Sequence, residues 1–172
     1  FGALLASRFV LWGNTRPELS QVMGLVATSV LLLSSFFMYR AEMGAAYGDR
    51  SKFLNGALMA AALGTLFFIM VVVLEWNVFG LEGSLFGVEL FGHLTPADGV
   101  YGGIFFAMTG MHALHVLTGI ALILIIWWNG RRGRFTPESH WGVEATAIYW
   151  HYVDVVWVFF YPALYLMGMA VK

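Results

Sequence analysis

Cysteine is absent from the 172 residues, which removes disulfides, thiolate metal ligands and cysteine nucleophiles together. Charge is nearly as scarce. Only 11% of the residues are charged and the formal net charge is −1, so no clustered basic surface is on offer to a nucleic-acid backbone. Proline is confined to four positions, leaving long uninterrupted apolar runs. What remains is 60% hydrophobic, too apolar for a domain that must dissolve itself in water. A span needs roughly 20 apolar residues, so the length accommodates about five, arranged as one compact membrane domain over residues 1–172.

Apolar runs read against the breakers predict five transmembrane helices, at about 1–13, 17–40, 52–80, 97–129 and 138–171. The expected fold class is therefore an all-α polytopic membrane helical bundle. The first helix is short: thirteen residues reach only about 20 Å against a hydrocarbon core of about 30 Å. Further residues are expected ahead of Phe1. Pro17, two residues after Thr15, and Pro96 and Pro137, each directly after a threonine, mark helix starts, where a missing N–H is harmless. Thr15 with Glu18 and Thr95 with Asp98 have capping-box spacing. Pro162 falls inside the last helix and is expected to break it.

Loop charges orient the chain. Arg40, Arg50 and Lys52 lie near one connection and Arg131, Arg132 and Arg134 near another, while the alternate side has Arg16 and Lys172. Retention of basic loops during insertion puts both clusters in the cytoplasm and the C-terminus on the outer side. The outer loop after residue 80 is acidic, with Glu82, Glu89 and Asp98. Small residues recur every fourth position at Gly56, Ala60 and Gly64 and again at Gly99, Gly103 and Ala107, which makes helices three and four expected packing partners, or equally makes the stripes contact surfaces for helices of another subunit. Trp12, Trp127, Trp128 and Trp141 sit near predicted membrane boundaries, as interfacial anchors do.

Ionisable groups inside apolar spans are costly unless paired or facing a cavity, so each is a site candidate. Glu75 lies in helix three, His112 and His115 in helix four, and Glu144, His151 and Asp154 in helix five. His112 and His115 share a face at i, i+3. Glu144, His151 and Asp154, at i, i+7 and i+10, form an expected carboxylate–histidine–carboxylate strip. Two imidazoles one turn apart admit a metal or haem site, although no complete ligand set accompanies them; hydrogen bonds to carbonyls or hydroxyls are the alternative. Buried carboxylates such as Glu75 and Glu144 admit a proton relay or a structural hydrogen-bonding role.

Two segments are more specific. DGVYGGIFFAMTGMHALHVLTG (98–119) and EATAIYWHYVDVVWVFFY (144–161) strongly resemble the helix pair near the C-terminus of haem–copper oxidase subunit III, and the similarity runs from about Gly2 to Met167. The resemblance is to a short five-helix, bacterial type, since long members have seven spans. It implies a non-catalytic integral subunit of an aerobic respiratory oxidase, best matched by the cytochrome c type, with quinol oxidases and a nitric-oxide-reductase-associated relative as alternatives. It implies no catalytic residue, no metal and no cofactor in this chain, haem and copper residing in partner subunits. It also implies bound phospholipid in a groove where helices one and two pack at least partly apart from three to five, and support of proton uptake and durability. The implied partners are catalytic subunit I, subunit II and a small subunit IV, with cytochrome c or quinol reaching the complex through other subunits, in a bacterial plasma membrane. Glu75, His112, His115, Glu144, His151, Asp154 and Trp157 are its motif residues, and Arg131, Arg132 and Arg134 its candidates for lipid headgroups. A stand-alone transporter would call for inverted repeats or broken half-helices, and a haem-bearing enzyme for opposed histidines; neither pattern is evident.

Overall fold

A computed structural model describes residues 1–12, 15–17, 21–76, 84–85, 88–89, 99–167 and 169–171. Five α-helices carry the described residues: α1 (Gly2–Trp12), α2 (Gln21–Ala46), α3 (Arg50–Ile69), α4 (Gly99–Arg131) and α5 (Trp141–Tyr161). α3 continues as a π-helical segment, Met70–Glu75, and α5 as another, Pro162–Leu166. Short strand pairs accompany them. β1 (Thr15–Pro17) runs parallel to β4 (Met169–Val171) with Thr15 opposite Met169, and β2 (Ser84–Leu85) is antiparallel to β3 (Val88–Glu89).

Gln21–Ala46, Arg50–Val73 and Gly102–Arg131 are long and apolar enough to cross a membrane. α5 has the length, at 21 residues, but its composition is more polar, and α1 contributes a shorter apolar stretch, Gly2–Leu11. The chain is thus an all-α polytopic membrane protein, as its composition requires: in hydrocarbon every backbone polar group must be satisfied internally, which a helix does alone.

Several predicted boundaries shift. α2 runs on to Ala46, so Arg40 lies within the helix and the connection to α3 is only residues 47–49. Gly48, at φ +72°, makes that reversal possible, because the left-handed region is costly for a residue with a Cβ. α5 begins at Trp141, and Pro137 sits in the preceding turn, closed by Thr136 and Ser139, and does not open the helix. α2 likewise begins after Pro17, at Gln21. The break at Pro162 occurs as expected: proline has no N–H to give, the helix widens, and Met167 N–H closes on the Pro162 carbonyl. The expected capping boxes, Pro96, the acidic outer loop around Glu82 and the Trp12 side chain lie outside the described residues or side chains.

Two compact units divide the chain. In the unit formed by residues 29–68 and 115–155, Trp150 is fully buried and forms the centre. A Cβ on Gly64 of α3 or on Gly119 of α4 would lie 2.6 Å from its indole ring, so both positions are glycine because the ring occupies that space. Gly56 brings α3 onto the α2 backbone at Ala41, where a Cβ would be 2.8 Å from the amide nitrogen. Phe53 of α3 fills the space beside Gly130 of α4.

The unit formed by residues 1–28, 69–114 and 156–172 is built around Phe105, Phe160, Leu164 and Tyr165, all buried. Gly24 of α2 lies against Tyr161 and Tyr165 of the α5 end. Trp76 packs on Phe106 and Gly110 of α4.

Helices three and four meet as expected, through Gly64 beside Ile120 and Phe53 with Gly130 in one unit and Trp76 with α4 in the other; Gly56 and Gly64 of the first stripe also serve α2 and Trp150, while Gly99, Gly103 and Ala107 are exposed. α2 is joined to α3 and α5 by hydroxyl hydrogen bonds, and α1 is joined to the α5 end through Arg8. Polar groups without water find partners on the neighbouring helix, and α2 carries Thr28, Ser34 and Ser35 on its buried side.

Candidate functional site

The polar interior repeats one arrangement three times. An indole N–H donates to a hydroxyl, and that hydroxyl donates in turn to a backbone carbonyl. Trp150 Nε1 reaches Ser34 Oγ at 3.1 Å, and the Ser34 hydroxyl donates to the Ala60 carbonyl at 2.8 Å, joining α5, α2 and α3. Trp157 Nε1 reaches Thr28 Oγ1 at 3.0 Å, and Thr28 donates to Gly24 at 2.7 Å. Trp76 Nε1 reaches Thr109 Oγ1 at 3.1 Å, and Thr109 donates to Phe105 at 2.7 Å. A hydroxyl is the one small group that both accepts and donates, so it closes two open valences between helices at once.

The predicted site residues attach to this frame. His151 Nδ1 is 2.6 Å from Ser35 Oγ, the residue beside Ser34 on α2. Asp154, one turn further along α5, is buried, and its Oδ1 has no hydrogen-bond partner among the described residues. His112 is also buried, its ring tilted against the Trp157 indole at 4.9 Å and near Phe160 at 6.0 Å. His115 stacks on Tyr149 at 6.5 Å, and the Tyr149 hydroxyl donates to the His115 carbonyl. The two imidazoles of α4 therefore serve different aromatic partners. Glu75 ends the π-helical segment of α3, and its side chain lies outside those described.

The expected strip along α5 does not form as one unit. Glu144 pairs with His140 at 3.0 Å, one turn back toward the helix start. Residues seven apart are separated by about 10 Å along a helix, beyond direct contact, whereas residues four apart are neighbours. His151 turns to α2. Among the described residues, no group of three or more His, Asp or Glu side chains is gathered at metal-binding distances.

At the end of α4, the Arg131 guanidinium lies 5.0 Å from the Trp127 ring and the Arg132 guanidinium 4.9 Å from Trp128. Arg134 donates to the Asn129 side chain at 3.1 Å, and Arg50 holds the Arg131 carbonyl at 2.6 Å. Trp128, Arg131 and Arg132 line an open recess of ≈ 400 Å³. Trp128 and Trp141 are exposed, as expected of interfacial anchors.

The sequence reading missed three residues. Arg8, inside α1, is completely buried; its Nε donates to the Ala163 carbonyl at 3.2 Å and its Nη2 to the Met167 carbonyl at 3.1 Å. A cation in the middle of an apolar run was the available signal. Trp150 and Ser34 carried none beyond the serine pair Ser34–Ser35 in an otherwise apolar helix.

The family model for cytochrome c oxidase subunit III matches residues 18–169. The chain belongs to this family. A cytochrome c oxidase subunit 3 from Tragelaphus imberbis is 37% identical over 144 residues, which is 84% of this chain and 50% of that protein. Those from Hippopotamus amphibius and Equus caballus are each 36% identical over the same lengths. The chain spans about half the length of the curated relatives it matches. Subunit III membership gives the frame a context: Trp150, His151, Asp154 and Trp157 all fall in the matched region and on the helix that holds the other elements together.

Proposed function

We propose that this chain is the non-catalytic subunit III of a haem–copper oxidase of the cytochrome c type, in an aerobic respiratory chain. The observation that carries the reading is the subunit III match over residues 18–169, supported by relatives that are all named cytochrome c oxidase subunit 3. The chain works as a single membrane domain beside catalytic subunit I, with subunit II and a small subunit IV completing the complex. Haem and copper belong to those partners, and cytochrome c delivers electrons to them. The family is integral to the membrane; a bacterial plasma membrane, with the basic loops in the cytoplasm and the C-terminus outside, is our assignment, supported by the loop charges.

The residues here supply surroundings and not electron transfer. Large apolar side chains such as Leu114, Val155 and Phe159 face outward, where lipid or a partner subunit covers them without a solvation cost. Glu75, His112, His115, Glu144, His151, Asp154 and Trp157 form the motif that sets the polarity of the interior. Arg131 and Arg132, each seated on a tryptophan at the end of a span, have the charge and position to hold a lipid phosphate while the indoles lie among the headgroups. Arg134 is the third such candidate.

Purification of the tagged chain in mild detergent tests this. It should bring down haem-bearing partners in fixed stoichiometry, and the chain separated from them should show no haem absorbance. A chain that purifies alone from membranes, or one that retains haem by itself, contradicts the proposal.

A further inference from the structure

A second recess lies away from Arg131 and Arg132, between α2 and α3. Phe37, Arg40, Ser51, Lys52, Asn55, Gly56 and Met59 line it, around ≈ 360 Å³ of empty volume. The lining is graded. Arg40 and Lys52 supply two cations from two helices, and both are exposed. Beside them are the Ser51 hydroxyl and the Asn55 amide, the latter donating to Ser51 at 3.5 Å. Phe37 lies about 4–5 Å deeper than Arg40 along α2, and Met59 about 10 Å deeper than Lys52 along α3, at 1.5 Å per residue. Gly56, buried, forms the floor, where α2 and α3 touch.

One acid tempers the charge: Asp49 pairs with Lys52 at 3.2 Å and accepts its backbone N–H. The Arg40 guanidinium has no hydrogen-bond or ion-pair partner among the described residues, so the recess keeps an uncompensated positive charge at its mouth. Water alone does not call for the apolar floor. Free phosphate does not either.

We propose that this recess binds one anionic phospholipid, its phosphate between Arg40 and Lys52, its headgroup hydroxyls at Ser51 and Asn55, and the start of an acyl chain along Phe37 and Met59. The charge fits the phosphate, the two neutral polar groups fit a glycerol-type headgroup, and the gradient fits a molecule whose polar and apolar parts are joined. The site does not depend on the oxidase assignment; it requires only that α2 and α3 cross a membrane.

The test uses the purified complex in lipid nanodiscs containing phosphatidylglycerol or phosphatidylcholine. Native mass spectrometry should find retained phosphatidylglycerol, and the double variant Arg40→Gln/Lys52→Gln should weaken one site by about thirtyfold, while Arg40→Lys/Lys52→Arg preserves it. In the unsubstituted complex, amide exchange over residues 50–56 should slow in phosphatidylglycerol relative to phosphatidylcholine, a readout independent of whether the variants assemble. Equal lipid retention in the glutamine variant, or exchange indifferent to the lipid, overturns the proposal. So does displacement of the lipid by millimolar inorganic phosphate, which would make this a free-phosphate site, and so does equal protection in every lipid, which would mean a protein partner covers it. Loss of haem partners with this lipid binding intact would count against the oxidase assignment alone.

Discussion

At the scale of single residues, the interior is governed by hydroxyls that serve two helices. Ser34 accepts from Trp150 and donates to Ala60. Replacing it with alanine strands a buried indole N–H and frees a carbonyl, at a cost of about 1–2 kcal/mol. Ser34→Ala should therefore lower the thermal midpoint of the complex in detergent, and adding Trp150→Phe should cost less than the sum of the two single changes; full additivity would mean the pair is not coupled. Asp49 supplies a second residue-level test, outside the spans. The Lys52 N–H, and then the Lys52 ammonium, hold its carboxyl below the ordinary value of 3.8. A depressed carboxyl favours folding above its ordinary pKa, and that contribution is lost as pH falls through the folded value. Asp49→Asn should thus be less stable than the parent near neutral pH, with the gap closing in acid; a gap that widens in acid would contradict the assignment. Residues of this kind were only partly legible. His151 and Asp154 stand out in an apolar run because charge in a span is rare. Ser34 does not, because a serine in a membrane helix can just as well bond to its own backbone, and only the approach of Trp150 from another helix gives it a role.

Among the elements, helix existence was easy to read and helix ends were not. The apolar runs dictate five helices, but α2 outlasts its expected end by six residues because Arg40 and Glu42 lie near the membrane surface, where a helix can carry them. Spacing rules misjudged α5 in the other direction: Glu144 found His140, a closer neighbour than His151. The π-helical segment Met70–Glu75 has no proline or glycine to announce it, whereas Pro162 announces the other. Arg8 connects α1 to that second segment by donating to carbonyls at the α5 end, where the helix dipole is negative. Arg8→Leu removes those donors while keeping bulk and apolarity. Amide exchange across residues 2–12 should accelerate by tenfold or more, and exchange around Ala163–Met167 should rise with it; an effect limited to α1 would mean the α5 end needs no such cap.

For the whole molecule, composition alone selected the membrane, and two motif-bearing segments selected the family; neither depends on exact packing, which is why both were readable. The lipid groove was less accessible, since it rests on longer relatives and on no spacing or motif in these residues. The central claim is that this chain conditions an oxidase whose redox centres lie in other subunits. Removing it should spare the chemistry at first. Proton supply depends on the polarity and hydration around buried carboxylates, and exposing that surface to detergent should shift them. The most direct measurement is oxygen consumption over many turnovers, at several pH values, by the complex with and without this chain. An initial rate that survives removal, followed by faster decline and a stronger loss at alkaline pH where protons are scarce, is the predicted result. Complete loss of the initial rate in an otherwise assembled remainder would contradict it.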